Sequence, residues 1–454
     1  MPPSTSAVRR FADTFSGEII RRSDPGYDAA RVVWNGMVDR YPELVARSAN
    51  ADDVATAVRF AREEGLPIAV RSGGHSIPGL STCDDGIVID LSRMNGARVD
   101  AAESSAWVNG GALLGELDRA AQAAGLVCPV GVVSHTGVAG LTLGGGMGRL
   151  QRKHGLTIDN LLSVDLVTAD GRHVRASEDE HPDLFWGLRG AGANFGIATA
   201  FRFRLHPLAW PVTHGTLIHP VERATDLAAR LRELLETAPD ELWTSFGLAW
   251  IPDGGPVATV TVMHSGRPDD GERDLAEVRA FGPPLSDSIA PKPHLDPQTM
   301  ADEQQSWGQR FSMKSAFVPS LPDDLVALCV DHLERAPTGG DSNFSVWACG
   351  GAVARVAEDA TAFTGRSAAF WVAAETLWHD PARDDEFRAW PRTAMAAVQP
   401  YATEGRYVND VAETGEDVTR TIYGAAKYER LAALKRAWDP DNVFRLNQNI
   451  RPVG

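Results

Sequence analysis

The stretch VRSGGHSIPGLS, Val70 to Ser81, sets the reading of this chain. It holds one arginine, a glycine pair and a single histidine. No acid, cysteine or second histidine stands within a helical turn of His75, so local sequence gives that imidazole no partner. What precedes it is regular. In ADDVATAVRFAREEG, Val54, Val58 and Ala61 fall on one helical face, with Asp52 or Asp53 as cap and Gly65 as stop. LPIAV then reads as a buried strand that runs straight into the glycine loop.

Outward from that loop, the first part of the chain keeps alternating short elements. GIVIDLS is another apolar strand, and AWVNGGALLGELDRAAQAAG reads as strand, glycine turn and helix. SVDLVTADGRHVRAS reads as a hairpin closed at Asp170-Gly171, a pair that tolerates positive φ. After about Leu205 the texture changes. RATDLAARLRELLETAP is an amphipathic helix, and LWTSFGLAWI and PVATVTVMHSG are strands, as in an α+β unit with an antiparallel sheet. The Pro- and Asp-rich FGPPLSDSIAPKPHLDPQT interrupts it. In the tail, Tyr428, Leu431, Leu434 and Trp438 form one stripe of a helix that Asp439-Pro440 ends.

Composition narrows the function classes. The chain has 454 residues, 43% hydrophobic and 23% charged, in keeping with a globular protein of two or three domains. Its net charge of −16 would repel a phosphate backbone, so nucleic acid is not an expected partner. The N-terminal segment shows no apolar run of signal-peptide length, and nowhere do about 18 apolar residues run together, so a soluble, cytoplasmic protein with no membrane partner is expected. The four cysteines, Cys83, Cys128, Cys329 and Cys349, are far apart and form no C-x-x-C, which argues against a disulfide framework and a zinc site; no metal is expected. GAGANFG (Gly190–Gly196) lacks G-x-G-x-x-G spacing, and GGGMG (Gly144–Gly148) has no acid about 20 residues on in a βαβ unit. Walker, zincin and nucleophile-elbow signatures are missing as well.

Glycine is instead concentrated in SGGHS, TGVAGLTLGGGMG and RGAGANFG. Such turns let backbone N–H groups close on an anion with no Cβ in the way. Singly, each is a tight turn; together, three could enclose a pyrophosphate without a Rossmann helix.

In their order and spacing, VRSGGHS, GIVIDLSRMN, TGVAGLTLGGGMGRLQRKHGLTIDNL, HPDLFWGLRGAGANFGIAT and YGAAKYERLAALKRAWDPDNVFRLNQNI resemble the FAD-linked oxidases of the berberine bridge enzyme type, within the vanillyl-alcohol oxidase superfamily, and most of all its bacterial 6-hydroxynicotine oxidase-like branch. The likeness covers about Val54–Phe203 and Tyr407–Ile450. It implies an α+β fold: a two-part FAD-binding domain of vanillyl-alcohol oxidase type, residues 1–205 with 403–454 returning to it, and a substrate domain, residues 206–402, with an antiparallel sheet and helices on one face.

The same resemblance implies a role for each motif. His75 would be bonded through a ring nitrogen to the 8α-methyl carbon of FAD, a step that suits a neutral, nucleophilic imidazole. Arg71, Ser72, Gly73, Gly74 and Ser76, with Thr136, Gly137, Gly140, Gly144, Gly145, Gly146 and Gly148, would cradle the cofactor. Asn409, Asn447 and Asn449 would lie along the flavin ring. Relatives with a second, cysteine-borne link carry it where Val133 stands here, not at Cys128, so a single covalent link is expected. Glu375, the only acid of FWVAAETLW, is the candidate base; Tyr407 is the second catalytic candidate, as an acid or as a ring against substrate; His135 is a further candidate for the pocket. The implied activity is hydride transfer from a small aromatic, heterocyclic or polyketide-like alcohol or amine of secondary metabolism to flavin N5, with dioxygen reduced to hydrogen peroxide by a monomer or homodimer. An oxygenating flavoenzyme and a non-catalytic flavin- or carbohydrate-binding protein are the alternatives.

Overall fold

Short apolar runs build the first sheet. In the computed structural model, which describes residues 3–251 and 254–453, the strands Glu18–Arg21, Leu44–Arg47, Ile87–Asp90 and Ile68–Arg71 lie side by side in that order. Leu44–Arg47 and Ile68–Arg71 both run parallel to Ile87–Asp90. Parallel strands are covered on both faces, and Leu44, Val45, Ala46, Ile87, Val88 and Ile89 are all buried. Helix Ala51–Glu63 supplies part of the cover through Val54, Val58 and Ala61, the predicted face. Its cap differs from the expectation. The Asn50 side chain accepts the Asp53 N–H, while buried Asp53 accepts N–H groups of Ser16 and Ala49 and so ties the N-terminal segment down. Gly65 stops the helix at φ +67°.

The second sheet is antiparallel, in the order Ala97–Asp100, Ser105–Asn109, Ile197–Arg204, Leu161–Val167, His173–Ser177. The expected hairpin is present, with Gly171 at φ +78° in its turn. The tail packs on this sheet. Helix Glu416–Trp438 places Tyr428 and Leu431 in the same core as Val164, Phe201 and Phe203, with Leu434 and Trp438 at its margin. The helix is broken at Gly424, whose φ of +72° the sequence pattern did not foretell. Lys435 in its last turn and Asp439 just beyond its end form a fully buried ion pair at 2.7 Å, and Asp439 also accepts the N–H groups of Val443 and Phe444.

A large antiparallel sheet takes all its strands from residues 212–378. Its spine runs Val212–Pro220, Gly255–His264, Leu242–Ile251, Asp341–Ala348, Phe370–Trp378, Arg310–Val318. Two short edge strands, Ser286–Asp287 and Ala290–Lys292, come from the Pro-rich interruption and pair with Val212–Pro220. Period-2 alternation then divides the sheet. Phe246, Val260, Phe344, Val346, Val372 and Ala374 pack under the helices Ala224–Thr237, Asp323–Glu334 and Asp384–Val398. Their neighbours Ser245, Thr261, Asn343, Ser345, Trp347, Trp371 and Glu375 look the other way, toward the FAD-type sheets. Arg152 joins the two parts, its buried guanidinium donating to the carbonyls of Leu242 and Cys349. No helix of the described residues is long and apolar enough to cross a membrane.

Candidate active site

A cavity of about 750 Å³ lies where the helix-free face of the large sheet meets the glycine loops. Its first wall is the loop after strand Ile68–Arg71. A Cβ on Gly73 would sit 2.1 Å from the Gly137 nitrogen, and one on Gly137 would sit 2.3 Å from the Gly73 nitrogen. The two backbones therefore touch, and only glycine permits it. Ser72, Gly73, Gly74, His75, Ser76, Thr136, Gly137 and Gly140 all line the cavity.

The other cradle candidates do not. Arg71 is turned away: its guanidinium donates to Asp90 at 2.6 Å and to the Val32 carbonyl, a buried pair that stabilises the first sheet. The glycine run is not an open turn, because Val138–Gly144 coils into a short helix. A Cβ on Gly144, Gly145 or Gly146 would strike Asn409, Phe363 or Thr157, and one on Gly148 would strike the Val130 carbonyl. These four glycines serve close packing behind the wall. Similarly, Gly190 closes against the Phe363 backbone, and Gly192 against Leu143.

His75 is held from several sides. Its ring stacks on Trp34, with centroids 4.8 Å apart, and Trp307 meets it edge-on. Its Nε2 lies 2.6 Å from Nδ1 of His135. Burial, and His135 after it, hold the His75 pKa down at about 3, so the ring is neutral. The partner that local sequence lacks thus arrives from a loop 60 residues away.

The far end of the cavity is acidic. Glu375 projects from strand Phe370–Trp378 between its cross-strand neighbours Met313 and Asn343. Asp410 comes from the tail; its Oδ2 accepts from Ser315 Oγ and Trp371 Nε1, both at 2.8 Å. Burial pushes each carboxyl up to about 7, and the Asp410 charge adds to the rise at Glu375. Among the described residues no lysine or arginine lines the cavity. Trp347 and Trp371, with rings 5.3 Å apart, form an aromatic flank.

Tyr407 lines the cavity, and its hydroxyl is engaged by protein donors. The oxygen accepts from Asn409 Nδ2 at 2.9 Å and from the N–H groups of Gly146 and Met147. Burial and then Asp410 push its pKa up to about 12 against those three donors. Asn409 and Asn447 line the cavity; Asn449 does not. Cys128 is fully buried in the core and away from the cavity, whereas Val133 lines it. His135 lies behind His75 and is not part of the wall. Asp410, Trp34 and Trp371 were not singled out from sequence. Asp410 directly follows Asn409, which was, and that proximity was the one available signal.

The free polar groups of the wall suit a flavin dinucleotide. The Ser72 hydroxyl and the side-chain oxygens of Asn447 and Gln448 are buried without a partner on the cavity wall, and the Gly73–Gly137 contact leaves backbone rather than side chain facing inward.

Comparison with known proteins agrees. Residues 42–177 match the family model of an FAD binding domain, and residues 406–451 match the model described as berberine and berberine like. The chain is 34% identical to (R)-6-hydroxynicotine oxidase of Paenarthrobacter nicotinovorans over 456 residues, 97% of this chain and 98% of that protein. The crystal structure of 6-hydroxy-D-nicotine oxidase from Arthrobacter nicotinovorans superposes with a TM-score of 0.89 at 33% identity, covering 97% of this chain and 98% of that one. The BBE-like 1 protein of Physcomitrella patens superposes at 0.88 and 25% identity, covering 99% and 100%.

Proposed function

The chain belongs to the berberine bridge enzyme-like FAD-linked oxidases, and from that premise we propose that it oxidises a small aromatic or heterocyclic amine at the carbon beside nitrogen. FAD, when bound, would be held by His75 and the glycine wall around Gly73 and Gly137 and would supply the electron sink for the hydride, with dioxygen as the final acceptor giving hydrogen peroxide. The observation that carries the substrate class is the charge of the cavity. Its far end holds Glu375 and Asp410 and, among the described residues, no lysine or arginine. Two coupled carboxyls with values near 7 share about one negative charge at neutral pH. A cationic amine would be attracted to that charge, and a carboxylate or phosphate repelled.

Each residue then has a task. Glu375, which has no hydrogen bond to the described residues, receives the proton that must leave the substrate nitrogen before hydride departs. Asp410 is held by Ser315 and Trp371 and keeps Glu375 basic enough to do so. Trp347, Trp371 and the Tyr407 ring hold a planar substrate by its faces and edges. With their NH2 groups committed to protein acceptors, Asn409 and Asn447 offer amide oxygens that would accept from the cofactor. An alcohol needs the same base but gains nothing from the acidic end, so it ranks below the amine.

A substrate panel followed by peroxide release tests the proposal. Aromatic or heterocyclic amines should turn over with KM values well below those of the matching alcohols and of oligosaccharides. Equal or better turnover of sugars or neutral alcohols would overturn it.

A further inference from the structure

We propose that His135 is the positioning and proton-accepting residue for the attachment of FAD to His75, acting through the Nε2···Nδ1 contact between the two rings. The inference rests on the reading that His75 carries the link. Nothing in the substrate chemistry requires His135: it stands behind His75, outside the cavity wall.

The geometry defines the tautomers. With His135 at 2.6 Å from Nε2, the His75 ring nitrogen without a protein partner is Nδ1. His135 turns its own Nε2 toward the Asp302 carbonyl at 3.4 Å. A carbonyl only accepts, so His135 carries its proton on Nε2 and offers the Nδ1 lone pair to His75. His75 must then bear its proton on Nε2 and keep a free lone pair on Nδ1. The arrangement is fixed by its surroundings. Trp34 stacks on the His75 ring and is itself anchored by Nε1 to the Gln305 carbonyl. Ser134, next to His135, donates through N–H and Oγ to the Asp302 carboxylate, so the same residue holds the loop and faces the ring.

The step balances as follows. A C–N bond forms between His75 Nδ1 and the 8α-methyl carbon, and one C–H and one N–H bond are broken. The methyl hydrogen leaves as a proton. The His75 Nε2 proton passes to His135 Nδ1 and on to solvent. The two electrons reduce the flavin, and dioxygen takes them back with the two protons as one hydrogen peroxide. Alkylation at Nδ1 without loss of the Nε2 proton would leave a cationic ring. His75 lies where burial strongly disfavours that charge, and His135 removes it as the bond forms.

The test uses full-length protein from flavin-limited cells, incubated in air with excess FAD. Covalent incorporation is followed by fluorescence of the acid-precipitated protein and by a mass gain of one FAD less two hydrogens. The wild type should become acid-stable, and His75→Ala should not. His135→Ala and His135→Gln should bind FAD with unchanged affinity yet attach it on the order of 10²-fold more slowly, and added imidazole should restore the rate of His135→Ala. Attachment at the wild-type rate in either variant, or a slowing that merely follows lost FAD affinity, overturns the role of His135. A wild type whose flavin is released by acid overturns the His75 link itself and the inference with it.

Discussion

Glu375 is kept where ionising costs most, and this has a measurable price in stability. Its folded pKa near 7 lies above the ordinary carboxylate value, so the folded state holds a proton that the unfolded state has lost. Stability is therefore greatest at low pH on this account and falls as pH rises from about 4.5 to 7. Glu375→Gln should accordingly raise stability by about 1–2 kcal/mol at pH 8, and by nothing at pH 4, in thermal unfolding of the flavin-loaded protein. The same substitution should lower kcat by about 10²- to 10⁴-fold with a smaller effect on KM. In the wild type, kcat/KM should fall as pH drops through about 7, because the Glu375–Asp410 pair then gains a proton. His75→Ala should leave the fold intact, give a flavin that acid releases and slow turnover; a pellet that stayed fluorescent would assign the bond to another residue. His75 and Glu375 could be named as candidates from sequence because one is the single histidine and the other the only acid of its segment, and both line the cavity. Asp410 could not: its partners Ser315 and Trp371 stand 95 and 39 residues away, and an acid after a turn looks ordinary until they close on it.

At the scale of elements, the glycine segments separate what pattern reveals from what packing decides. The helix at 51–63 and the 161–177 hairpin follow from periodicity and turn chemistry alone. The segment VAGLTLG reads as loop because glycine disfavours helix, yet it coils, driven by burial of Val138, Ala139 and Leu143. Gly424 goes the other way, opening a break inside a sequence of good helix formers. Gly137 is the sharpest case: nothing in TGVAG distinguishes it from Gly140, but only Gly137 touches another backbone. Gly137→Ala should therefore destabilise by about 2–3 kcal/mol and lose flavin binding, whereas Gly140→Ala, with no protein atom near its Cβ and a helical backbone, should keep the stability of the fold. Urea unfolding and flavin content of the purified variants check this.

For the molecule as a whole, the cavity exists only because two sheet systems are held face to face. Arg152 is one of the clasps, its guanidinium buried and committed to carbonyls of the large sheet. Arg152→Met keeps the apolar stem but strands those carbonyls, and should cost about 2–4 kcal/mol. Thermal unfolding measures that loss, and a raised KM would report the loosened cavity. The helix-covered face of the large sheet is built from Phe344, Val346 and Val372, and the chamber face from Asn343, Ser345 and Trp371. Residues that shape the ligand and residues that hold the protein together thus alternate one by one along the same strands. Such interleaving gives a chain latitude to drift in taste without drifting toward collapse: a change of appetite can be written at odd-numbered positions while the even-numbered ones go on keeping the house upright.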